Sequence, residues 1–273
     1  MNYYIGTAGF SYRDWEGIFY PKAKDKLDYY SSIFNFVEIN STFYSIPERQ
    51  FFTSFSKRLK KDFNVSIKAN KIFTHQSDWS SDELKSFFDL TKILEDKLLC
   101  ILFQFPYSFH NNKENLKKIE NIKNLSSNIN IAIELRHKSF IEDNFFRFCK
   151  DNNLIFVNID QPQISYNIPL TTICTNNKIS YFRFHGRKID TWFADNIESY
   201  ERYNYSYSEK EIDELKDAII QNKAENIIIS FNNHYKAKAV INAIELMEKL
   251  GKKPIISSEQ MKKNLNKSTE NLL

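Results

Sequence analysis

Val37-Glu38-Ile39-Asn40-Ser41-Thr42-Phe43-Tyr44 begins as a short strand with two unlike faces. Val37 and Ile39 point one way and Glu38 and Asn40 the other, because side chains alternate along a strand. Turn and aromatic residues follow at once. A carboxylate near the end of a buried strand is unfavourable by several kcal/mol unless it is paired or reaches solvent at a mouth. The stretch therefore marks both a strand and a site.

The same pattern recurs on either side of it. Strands are predicted at about residues 3–7, 36–40, 64–68, 98–104, 131–135, 154–159, 180–185 and 227–231. Helices are predicted between most of them. Ser80 with Glu83 and Ser208 with Glu211 have capping-box spacing. Leu84, Phe87, Phe88, Thr91 and Leu94 then repeat at the spacing of one helical face. Further helices are read at 25–33, 47–60, 113–125, 142–152 and 237–250, the last stopped by Gly251. Residues 160–177 hold Pro162 and Pro169 and no helical period, so the sixth unit is expected to lack a regular helix. Strand–helix alternation predicts a parallel sheet, and eight such units close naturally into a single (β/α)8 TIM barrel. Gly6-Thr7-Ala8-Gly9 lacks the dinucleotide-binding spacing, which disfavours an open doubly wound sheet. Residues 1–258 are assigned to the barrel domain and 259–273 to a polar, frayed tail.

Composition limits the rest. The 273 residues are 42% hydrophobic, enough for a globular core, and the formal charge of +4 permits a basic patch without requiring nucleic acid. Cys100, Cys149 and Cys174 are odd in number and form no CxxC, so they read as small buried hydrophobes of a reducing compartment. No apolar run approaches 18 residues and the start has no basic-then-apolar leader, so a cytoplasmic protein without membrane contact is expected.

Barrel enzymes carry their functional groups at the C-terminal ends of the strands. Here those ends read Glu38 and Asn40; Lys68; Gln104; Glu134 and Arg136; Asn158 and Asp160; Arg183 and His185; and Asn232, Asn233 and His234. Any one of these charges could be structural filling. The set as a whole is hard to desolvate unless it pairs and also reaches water or ligand. Lys68, Arg136 and Arg183 suit a phosphate or carboxylate, with amides at Gln104, Asn232 and Asn233. Glu38, Glu134 and His185 are the catalytic candidates. Tyr12, Trp15 and Tyr44 join Asn40 and His234 as substrate-binding candidates, with Phe10, Trp192 and Tyr203 extending the aromatic rim. His75 and His110 read as solvated loop histidines. A metal site at Glu38, Glu134, His185 and His234 is disfavoured because three cations share the mouth, and no cofactor motif is present.

Gly6-Thr7-Ala8-Gly9-Phe10-Ser11-Tyr12 with Trp15, Gly17 and Phe19-Tyr20-Pro21 resembles the opening motif of the DUF72 (YecE-like) family. The stretch from Val37 to Tyr44 with Pro47 resembles its second motif. Phe103-Gln104-Phe105-Pro106, Glu134-Leu135-Arg136-His137, Arg183-Phe184-His185-Gly186 and Phe231-Asn232-Asn233-His234-Tyr235 match later motifs in order. The resemblance implies a TIM barrel and supplies no established reaction. Ala8, Phe10 and Lys138-Ser139-Phe140 depart from the Ser, Trp and Pro-Ser-Trp more frequent there. The expected function is a metal-independent enzyme of hydrolase, lyase or isomerase type on a small anionic, phosphate- or carboxylate-bearing substrate, nucleotide-like ones included. The alternatives are a non-catalytic binder of nucleic acid or a phosphorylated ligand, a metal-dependent endonuclease IV-like enzyme, and a carboxylate-based glycoside hydrolase.

Overall fold

A computed structural model describes residues 1–21, 24–164, 166–190, 192 and 199–270, without the side chains of 199, 200, 269 and 270. Among these residues eight strands run parallel: β1 (Asn2–Thr7), β2 (Phe36–Ile39), β3 (Asn64–Lys68), β4 (Leu98–Gln104), β5 (Ile131–Glu134), β6 (Ile155–Asp160), β7 (Ile179–Phe184) and β8 (Asn226–Phe231). Each pairs with the next from β2 to β8, and β8 pairs back with β1.

The seam between β1 and β2 closes differently. Ala8 forms a single parallel bridge with Glu38, and Gly9 N–H donates to the Glu38 carbonyl at 2.7 Å. Below that bridge, side chains stand in for the missing ladder. The Tyr30 hydroxyl accepts from Thr7 N–H at 2.8 Å and donates to the Phe36 carbonyl at 3.2 Å. Asn35 accepts from Ile5 N–H and donates to the Tyr3 carbonyl. The strands approach so closely here that a Cβ on Gly6 would stand 2.0 Å from the Phe36 carbonyl oxygen, which is why this position needs glycine.

Helices Lys26–Ile33, Arg49–Arg58, Ser81–Thr91, Lys113–Leu125, Asp143–Asp151, Glu209–Gln221 and Lys238–Lys249 cover the outside. Both capping boxes form. The outward set of strand residues, including Val37, Ile39, Val65, Ile67, Ile133, Phe182, Phe184 and Phe231, is buried against them. The described residues between β6 and β7 form no helix; they return instead to β5, with Ile168 N–H on the Arg136 carbonyl and a bridge between His137 and Asn167.

Three expectations need correction. The segment expected to fray is helical over Ser258–Glu270, and Met261 is buried. Met261 and Leu265 packed on the core, the Asn264 bond to the Ile18 carbonyl and the Lys262–Glu245 ion pair hold this otherwise polar segment. Asn40 lies outside β2 at the start of the short helix Ser41–Tyr44, so strand alternation does not aim it. Asn158 and Asp160 are at the end of β6 but face outward, in register with Phe182 and Phe184. Asn158 binds Thr171 and Ile173, and Asp160 pairs with Arg187.

Candidate functional site

Register carries the interior polar residues onto one level of the barrel. Ser66 and Lys68 on β3 align with Cys100 and Leu102 on β4, and Gln104 aligns with Glu134 on β5. Tyr181 and Arg183 on β7 align with Ile228 and Ser230 on β8. All point inward, so strands far apart in sequence deliver their polar ends to one centre.

That centre is a buried ion network. Arg183 is 1% exposed, and Glu38 and Glu134 are fully buried. Arg183 Nε donates to Glu38 Oε2 at 2.7 Å and Nη2 to Oε1 at 2.6 Å, while Nη1 donates to Glu134 Oε2. The Tyr181 hydroxyl donates to Glu38 Oε2 at 2.6 Å and lies 2.9 Å from Ser66 Oγ. Arg136 Nη2 reaches Glu134 Oε1 at 3.2 Å. Burial pushes both carboxyls up, but the Arg183 charge and the bonds to each oxygen outweigh it. Glu38 is held below, and Glu134 well below, the usual carboxylate range.

His185 sits beside this network, fully buried. Asn232 Nδ2 donates to its Nδ1 at 3.0 Å, so the neutral ring carries its proton on Nε2. Nε2 lies 3.2 Å from Glu134 Oε1 but off the line of a hydrogen bond and has no partner of its own. Burial pushes His185 down to about 4, more strongly than Glu134 pulls it up. Burial therefore favours the uncharged imidazole of His185 at pH 7.

Above the network opens a cleft of about 330 Å³, lined by Lys68, Gln104, Arg136, His75 and Arg202 with the rings of Phe43, Tyr44, Tyr107, Trp192 and Tyr203. Arg136 stacks on Trp192, 5.1 Å from the ring centre, and its Nε is buried without a partner. Lys68 Nζ rests 4.0 Å over the Phe43 ring and forms no ion pair or hydrogen bond among the described residues. Burial, and next the Arg183 charge, push Lys68 down to about 7.

The remaining candidates divide. Tyr12 and Asn40 line a neighbouring, mostly apolar cleft of about 250 Å³ that shares Tyr44 with the first. Tyr12 stacks on His234 with ring centres 4.5 Å apart, and burial pushes His234 down to about 4. Trp15 is buried and donates from Nε1 to the His234 carbonyl, which makes it a prop beneath that pair. Asn233 points outward, donating to the Tyr205 carbonyl and Asn242 Oδ1. Arg183 does not line the cleft, because its nitrogens face Glu38 and Glu134. Among the described residues no group of three His, Cys, Asp or Glu side chains is placed to hold a metal ion.

The protein-family model described as "Protein of unknown function DUF72" matches residues 4–265. The chain belongs to the DUF72 family. It is 29% identical to the UPF0759 protein YunF of Bacillus subtilis (strain 168) over 267 residues, 90% of this chain and 94% of that one. A crystal structure of a DUF72 family protein from Thermotoga maritima superposes with a TM-score of 0.84 at 30% identity, covering 92% of this chain and all of the other. One from Enterococcus faecalis V583 gives 0.84 at 27% identity, covering 92% and 96%. The DUF72 resemblance read from the motifs is thereby established, and with it the TIM-barrel fold.

In this DUF72 chain, sequence reasoning missed Tyr181, His75, Tyr107, Phe43 and Arg202. Tyr181 was legible, since it shares the inward parity of Arg183 and His185. The other four come from loops or helix ends, where no periodicity aims a side chain. Asn232 and Asn233 both follow the end of β8 at Phe231, so strand alternation aims neither. Residues 191 and 193–198 and the side chain of Tyr200 lie outside the described residues. No helix of the described residues is long and apolar enough to cross a membrane.

Proposed function

We propose that this protein is a metal-independent enzyme acting on a small anionic substrate in the Lys68–Arg136 cleft, by lyase- or isomerase-type chemistry. The observation that carries this reading is the unmatched cationic lining. Among the described residues Lys68 forms no ion pair and Arg136 keeps a buried donor unbonded, while the two nearby carboxylates lie beneath them, held by Arg183. Two carboxylates against Arg183, Arg136 and a protonated Lys68 leave this group of residues net positive. Arg136 offers the planar fork that suits phosphate or carboxylate. Its contact with Trp192 orients that fork.

Lys68 supplies the reactive group, because an amine poised near neutrality is available in its uncharged form. Glu38 and Glu134 act by their field and not as acids; a glycosidase-like pair needs one carboxyl kept protonated, and both are held ionised here. The cationic neighbours at the carboxylate oxygens also disfavour a divalent ion there.

Calorimetric titration with inorganic phosphate and with small phosphate and carboxylate esters tests the binding step. Wild type should bind, with affinity falling as salt rises, and Arg136→Ala should weaken binding tenfold or more. Absence of binding, or equal binding by the variant, overturns the reading. Tight, salt-sensitive binding of single-stranded nucleic acid without turnover of any small ester would favour a non-catalytic binder instead.

A further inference from the structure

We propose that Lys68 is a nucleophilic amine that forms an imine with an aldehyde or ketone bearing a phosphate or carboxylate group. This rests on the anion-binding reading of the same cleft and adds the reacting bond. The inference starts from an exception. Other ionised side chains of the barrel interior have opposite partners: Arg183 holds Glu38 and Glu134, and Arg136 reaches Glu134. Lys68 alone among these residues has none. A lysine placed for structure would face a carboxylate. This one lies flat over the Phe43 ring, with its amine open to the cleft and cations on the floor and wall beside it.

Burial disfavours the ammonium form and the Arg183 and Arg136 charges add to it, while the Glu134 and Glu38 charges oppose them without outweighing the burial. A lysine desolvated beside another cation is a recognised way of activating an amine toward carbonyl carbon. The division of labour follows from the donors. Arg136 takes the anionic group, since its fork is turned to the cleft and its Nε is unsatisfied. Lys68, on β3, meets the carbonyl from another wall. In the step itself the neutral Nζ adds to the carbonyl carbon, the carbonyl π pair moves to oxygen, and a carbinolamine forms. The two amine hydrogens then leave with that oxygen as water, and a carbon–nitrogen double bond remains. Nothing is oxidised or reduced. The imine takes a proton from solvent in the cleft, and the resulting cation draws electrons from the neighbouring carbon–hydrogen or carbon–carbon bond, as lyase and isomerase chemistry requires.

Pyridoxal 5′-phosphate, an aldehyde carrying a phosphate, is a suitable probe, used with borohydride reduction and peptide mapping by mass spectrometry. At pH 7, with the probe equimolar to protein, Lys68 should take up the label at least tenfold faster than any other lysine. Inorganic phosphate should slow that reaction, and Lys68→Arg, which keeps the charge, should abolish it while binding phosphate and keeping the wild-type circular dichroism. Labelling spread over surface lysines with Lys68 no faster, or label at Lys68 only at pH 9 and above, overturns the imine. If wild type binds phosphate but Lys68 is not labelled preferentially, the imine alone fails. If phosphate neither binds nor protects, the anion reading fails as well.

Discussion

The guanidinium of Arg183 grips both carboxylate oxygens of Glu38, with Nε 2.7 Å from Oε2 and Nη2 2.6 Å from Oε1. The two residues lie 145 positions apart, on β7 and β2, and neither is more than 1% exposed. This fork, extended to Glu134, fixes the level of the barrel on which the cleft rests.

Breaking the fork should be expensive. Arg183→Ala leaves two buried carboxylates without their common partner and should lower stability by about 3–5 kcal/mol. Lys60→Ala, at an exposed position, should change it by no more than about 0.5 kcal/mol. Urea denaturation of both variants compares them directly. Equal midpoints would show that the network adds nothing to stability.

Acid should weaken the fold in two stages. His185 is ordinarily half-protonated near 6.5 and is pushed down to about 4 in the folded chain. The unfolded state therefore binds the extra proton between those values, and stability falls as pH drops from 6.5 toward 4, by about 3 kcal/mol from this residue. Glu38 and Glu134 have depressed values, so their contribution is full above the ordinary 4.5 and is lost as pH falls through the folded values. Denaturation at pH 7, 5.5 and 4.5 should show a steep slope in wild type and a flatter upper stage in His185→Gln. An unchanged slope in that variant would remove His185 from this account.

Sulfate, whose charge is constant across this range, separates the protein's titration from the ligand's. Because Lys68 is pushed down to about 7, sulfate affinity should fall several-fold between pH 6 and 8.5. In Lys68→Met the affinity should be lower and flat with pH. A pH dependence that survives in the variant would assign the titration to another group.

The β1–β2 seam depends on one hydroxyl. Tyr30→Phe strips a partner from the Thr7 amide and the Phe36 carbonyl inside the core and should cost about 1–3 kcal/mol. Amide hydrogen exchange should speed up at Thr7 before it does at Ile229 on β8. Unchanged protection of Thr7 would mean that the seam closes without Tyr30.

The C-terminal helix should prove part of the core. Met261 is fully buried, so Met261→Ala should destabilise by about 2–5 kcal/mol, and ending the chain at Ser257 should do at least as much. Thermal melts matching wild type in both would restore the frayed tail.

The barrel was legible in the sequence because strand alternation and helical period are local signals, repeated often enough to count units. Glu38, Lys68, Glu134 and Arg183 were legible for the same reason: their parity follows from the apolar neighbours on either side. The weak sixth unit was visible in Pro162 and Pro169. Tertiary structure alone decided which charges met. Arg183 and Lys68 carry the same charge at equivalent strand ends, yet one is locked under two carboxylates and the other is left facing a ring. That difference comes from barrel radius and stagger, which place β2 and β5 within reach of β7, and no local pattern encodes it. The same holds for His185, whose side chain reads as a neutral-pH switch until burial makes it a neutral imidazole. It holds for Met261 too, one of two apolar residues in a polar helix, whose burial depends on a surface assembled from elements distant in the chain.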